Sequence, residues 1–191
     1  MKELNRREFL TLTGAAVVAL SLAGCGAPSA PSAPAAPTQK ELELLNAINK
    51  VWKEKFAAGG FTHEQLTLNQ DAVRAIRGYG RVFETVNETP HKFTDSDYAI
   101  AMQEATGLEE DILKKYGKDS LAGDAGIFEQ STDVVTLKYK YSCEGADVQA
   151  FVEELLANNS NSSKAEFISI YLPVVKNETY MTAVVFLNNK P

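Results

Sequence analysis

The chain has 191 residues, 45% of them apolar and 23% charged, which excludes a disordered or collagen-like chain and suits one globular domain. Its 25 Asp and Glu outnumber 19 Lys and Arg, for a net charge of −6, so nucleic acid is excluded as a partner: binding a phosphate backbone needs clustered positive charge. The two cysteines, Cys25 and Cys143, lie in unlike contexts and do not read as a disulfide pair.

Residues 1–24 read as an export signal. Lys2, Arg6 and Arg7 form a positive start, and Phe9 to Leu22 is an apolar stretch too short and too rich in small residues for a permanent membrane span. Leu22-Ala23-Gly24-Cys25 resembles the bacterial lipobox, in which the thiol is joined to diacylglycerol and becomes the mature N-terminus. Asn5-Arg6-Arg7-Glu8-Phe9-Leu10 is similar to a twin-arginine export signal, with Asn where Ser or Thr is usual. Both the twin-arginine and the general route stay open. These features place the mature protein outside the cytoplasm, with the membrane as a partner through a lipid on Cys25.

Residues 25–39 follow as the lipidated Cys and a tether. Gly26 to Pro37 repeats Pro, Ala and Ser with no apolar face to bury, and as an extended chain it reaches roughly 40 Å at about 3.1 Å per residue. The folded domain is expected over residues 40–191. Lys40 to Phe56 carries Leu42, Leu45, Ile48, Val51, Trp52 and Phe56 at helical spacing and ends at Gly59-Gly60. Leu66-Thr67-Leu68-Asn69 is a connector with Asn69 as the cap of a second helix through Ala72, Val73, Ile76, Tyr79, Val82, Phe83 and Val86, which Pro90 closes. Thr94 or Asp95 caps a third helix through Tyr98 to Ala105, and Glu109 to Tyr116 forms a short fourth ended by Gly117.

From Asp133 the period changes, with Val134, Val135, Leu137, Tyr139 and Tyr141 alternating with polar residues in the manner of one half-buried strand. Asp147 caps a further helix through Val148, Phe151, Val152, Leu155 and Leu156, and residues 158–163 are a polar loop. Phe167 to Leu172 and Tyr180 to Leu187 are strands joined by a turn at Lys176-Asn177-Glu178-Thr179. Helices first, then strands with one helix inserted, is an α+β order.

Several local motifs in this order resemble the CAP domain shared by cysteine-rich secretory proteins, antigen 5 and plant pathogenesis-related proteins. Leu44-Leu45-Asn46-Ala47-Ile48-Asn49 is similar to that family's opening helix, Leu66-Thr67-Leu68-Asn69 to its connector, and His91 with Asp95 to its His-x-x-x-Asp segment. The resemblance covers most of residues 41–187 and implies an α-β-α sandwich with a mainly antiparallel sheet. It also implies a cleft where two His and two acidic residues can hold a divalent cation. The sequence departs from that set. Residues 158–163, where the second His is expected, contain none, and Lys138 to Lys140 stand where an acidic residue is expected.

The candidate chemical residues are therefore His91, Asp95 and Glu84, with His91 as the one metal-ligand candidate. A lone His beside carboxylates is more often a hydrogen-bonded helix-end residue than a ligand or base. His63 reads as a solvent-exposed connector residue, and Glu109-Glu110-Asp111 as a solvated first helical turn. Cys143 reads as a buried, inert thiol. No phosphate loop, Cys-x-x-Cys pair, His-Glu-x-x-His motif or Gly-x-Ser-x-Gly elbow occurs. The expected function is a non-catalytic module for a small-molecule or protein ligand, without a cofactor. The alternatives are a metal-dependent hydrolase or peptidase using His91, and a structural envelope lipoprotein of unrelated α+β fold.

Overall fold

The structure, a computed structural model, describes residues 37–130, 133–157 and 159–190. The export signal, Arg6, Arg7, Cys25 and nearly all of the tether lie outside the described residues. The first helix, α1 (Gln39–Ala57), begins where the Pro-rich stretch ends, because Thr38 and Glu41 make a reciprocal capping box that satisfies two N-terminal amides. Its inward face is Leu44, Ala47, Ile48 and Trp52. Leu42 and Phe56, expected on that face, are each 37% exposed, so the buried stripe is rotated from the one the spacing suggested.

Leu66-Thr67-Leu68-Asn69 is more than a connector. Thr67–Leu68 forms strand β1, and Asn69 caps a 3₁₀ turn, Gln70–Ala72, ahead of helix α2 (Arg74–Val86) rather than capping that helix itself. Helix α2 ends at Asn87, whose backbone turns left-handed, three residues before Pro90. After strand β2 (His91–Lys92), helix α3 (Asp95–Ala105) starts with a second capping box, Thr94 with Asp97. Helix α4 (Leu108–Tyr116) and the stop at Gly117 fall as expected.

Strands β3 (Leu121–Ala125) and β4 (Ile127–Glu129) were not expected, since Leu121-Ala122-Gly123-Asp124-Ala125 has neither alternation nor β-branched residues. Tertiary pairing makes them strands. The expected strand over residues 134–141 is two, β5 (Val134–Leu137) and β6 (Tyr139–Lys140), split at Lys138. Helix α5 (Gly145–Ala157) starts before Asp147, which sits in its first turn instead of at the cap. A 3₁₀ turn, Ser162–Lys164, shapes the loop after it, and strands β7 (Phe167–Tyr171), β8 (Val174–Val175) and β9 (Glu178–Phe186) complete the domain.

The larger sheet runs β1-β7-β9-β3, and all its pairings are antiparallel except β1 with β7. Its centre is β9, where Met181 to Phe186 are all buried and alternate between the two faces. Ala183 and Val185, with Ile168 and Ile170, pack on Leu44, Ile48 and Trp52 of α1 and on Phe151, Val152 and Leu155 of α5. Val184 and Phe186 face the opposite way, onto Ala72, Ile76 and the α4 residues Leu108, Ile112 and Tyr116. Helices thus cover both faces of a mostly antiparallel sheet, and the fold is α+β.

At Gly126 the chain leaves β9. Its φ is +100°, and a Cβ would collide with the Met181 carbonyl, so only glycine fits this departure. The excursion builds a smaller antiparallel sheet, β2-β5-β4, before Tyr139 and Lys140 return to pair with Met181 and Tyr180. Val135 and Leu137 of that sheet meet Val82 and Phe83 of α2 and Ala101 of α3 in a third cluster, and the candidate site lies at its rim.

Candidate functional site

The small sheet aligns its residues by register. His91 lies opposite Val135, and Val135 opposite Glu129, so His91 and Glu129 share the face that carries buried Val135 toward α2 and α3. Phe93, two residues beyond His91, is the hub. Its ring lies 5.7 Å from Tyr79, 5.3 Å from Phe83, 5.6 Å from His91 and 5.3 Å from Tyr98, measured between centroids. Tyr79 comes from α2 and Tyr98 from α3, so the corner is an aromatic floor ringed by titratable groups.

His91 has a side chain 17% exposed, and both ring nitrogens face carboxylates: Nε2 is 3.3 Å from Asp97 Oδ2 and Nδ1 is 3.8 Å from Glu88 Oε2. The expected partner, Asp95, is instead exposed in the first turn of α3. The reason is the cap. Asp97 must sit at the third helical position to reach back to Thr94, accepting 2.8 Å bonds from its amide and its hydroxyl, and this brings Asp97 beneath the imidazole. Burial alone would raise the Asp97 carboxyl, but the two Thr94 bonds and then His91 outweigh it and hold it below the ordinary carboxylate range.

Glu84 serves elsewhere. It accepts a 2.8 Å bond from the Tyr171 hydroxyl and a 2.9 Å bond from the Val174 amide, clasping the β7–β8 turn to α2. The Tyr171 hydroxyl is pushed above its usual range by burial first and by the Glu84 bond second. Tyr79 is pushed up as well, by burial and then by the nearby Tyr98, Glu129 and Asp124; Tyr98 follows through burial, Glu129 and Asp133. Both tyrosines stay neutral at physiological pH.

The expected pairing of His91, Asp95 and Glu84 is therefore not assembled. The carboxylates that do meet His91 stand on opposite ring nitrogens, so they do not converge on a point that the imidazole could also ligate. Among the described residues, no group of three or more His, Cys, Asp or Glu is arranged to hold a metal ion. Lys138, where the CAP resemblance places an acidic residue, ion-pairs at 2.6 Å with the nearly buried Glu154 of α5.

Three smaller expectations also change. Cys143 is exposed, because it lies in the loop between β6 and α5, with its Sγ 3.5 Å from the Tyr141 hydroxyl. His63 is half-buried, since its carbonyl accepts the Trp52 indole N–H at 3.0 Å and draws the connector onto α1. In the Glu109-Glu110-Asp111 turn, Glu110 and Asp111 are exposed while Glu109 is half-buried, and Asp111 pairs with Arg74 at 2.7 Å.

Residues that sequence reasoning passed over dominate the corner: Asp97, Phe93, Tyr98, Glu129 and Asp124. Asp97 carried a usable signal, because Thr94-x-x-Asp97 has capping-box spacing. Glu129 acquires its place through the β2-β5-β4 register, Asp124 through the pairing of β3 with β9, and Tyr98 through the packing of α3 against Phe93. No family model, curated protein or solved structure matches the chain. No helix among the described residues is long and apolar enough to cross a membrane. Chemically, the corner gathers tyrosine hydroxyls and carboxylates around the Phe93 ring.

Proposed function

We propose that the chain is an exported bacterial lipoprotein, anchored through Cys25, whose CAP-like domain is a non-catalytic module for a small-molecule or protein ligand. The observation that carries the non-catalytic reading is the engagement of the candidate acid-base groups: His91 is held between Asp97 and Glu88, and Glu84 is bonded to Tyr171 and Val174. An acid-base pair needs both groups beside one substrate, and His91 and Glu84 are instead bonded to different partners, Asp97 on one side and Tyr171 with Val174 on the other. The aromatic and carboxylate corner of α2, α3 and the small sheet is the face this reading assigns to the ligand.

The anchoring part rests on Leu22-Ala23-Gly24-Cys25 and the Pro/Ala/Ser run. The capping box at Thr38 starts helix α1 directly after the last proline of that run. The CAP-like part is supported by helices on both sheet faces and by the closing β7–β9 strands, joined through β8.

Two measurements test the proposal. Radiolabelled palmitate should enter the wild-type protein in the bacterial cell and not Cys25→Ala; equal labelling would refute the anchor. Calorimetric titration should give zinc affinity no tighter than the micromolar range, because one imidazole flanked by non-converging carboxylates lacks the three ligands a catalytic zinc keeps. Nanomolar affinity that disappears in His91→Ala would replace the binding module with a metal-dependent hydrolase.

A further inference from the structure

We draw no further inference here: the strongest candidate, the half-buried cluster of Tyr79, Tyr98, Asp124 and Glu129 between α2, α3 and the small sheet, belongs to the site already described, and nothing in the structure shows what ligand covers it.

Discussion

Gly78 fixes how closely α2 and α3 approach, and so where Tyr79 and Glu84 on one helix stand relative to Asp97 and Tyr98 on the other. A Cβ at position 78 would lie 2.9 Å from the Ala101 Cα and 3.0 Å from its carbonyl carbon, and closer still to its carbonyl oxygen. All three are backbone atoms of a helix, so no side-chain rotation relieves the clash, and the helices must separate. Overpacking of this kind costs about 1–3 kcal/mol. Because only backbone atoms are met, the cost lies in the upper half of that range, about 2–3 kcal/mol, and the roughly 0.5–1 kcal/mol of backbone entropy that alanine returns leaves a net loss of about 1–2 kcal/mol for Gly78→Ala. For a domain of this size that lowers Tm by roughly 2–8 °C. Gly145→Ala is the control, because its Cβ meets nothing within 4 Å at the start of α5. Differential scanning calorimetry on both variants decides the matter. A Gly78→Ala protein as stable as wild type, or more so, would refute the close α2–α3 contact and the corner built on it.

Asp97→Asn should weaken the α3 cap and cost about 1 kcal/mol at neutral pH. Because the Asp97 carboxyl is held below its ordinary range, its contribution is present above the unfolded-state value and is lost as pH falls through the folded value. The gap between wild type and variant in urea midpoint should therefore close on acidification, and a gap constant with pH would argue against the cap geometry. Tyr171 has the opposite sign, since its raised hydroxyl contributes stability below about pH 10 that is lost as pH rises through the folded value. Tyr171→Phe should cost about 1–2 kcal/mol near neutrality and flatten the alkaline decline, as read from urea midpoints. Identical alkaline slopes would remove Glu84 as a clasp. The domain from Pro37 onward should unfold in one cooperative step, with Thr38→Ala lowering its stability by about 1 kcal/mol. A broad transition without a near-ultraviolet signal would show that the fold needs more than these residues.

Periodicity and end signals together located α1 through α5, because most carry an apolar stripe and most end at a Gly, Pro or capping residue that acts within a few bonds, while α3, which buries only Ala101 and Ala105, was marked chiefly by its cap at Thr94. It located β7 and β9 for the same reason: runs such as Tyr180-Met181-Thr182-Ala183-Val184-Val185-Phe186 are β-prone whatever surrounds them. The lipobox-like junction and nearly all of the Pro/Ala/Ser run are local patterns too, and they lie outside the described residues. Local signals do not carry long-range pairing. Leu121 to Ala125 is a strand because β9 offers it an edge, and Ile127 to Glu129 because β5 does, neither of which propensity reports. The site shows the same division. His91 and Asp95 stand at a suggestive spacing in the chain, yet a capping box places Asp97 at the ring, while Glu88 enters from the loop after α2. Glu84 sits close to both in sequence, but the turn before β8 takes its carboxylate. Glu129 reaches the face of His91 only because two antiparallel registers align through Val135. Side-chain type is written residue by residue, whereas which side chains meet depends on contacts between residues some forty or ninety positions apart, and these form only when the core is buried.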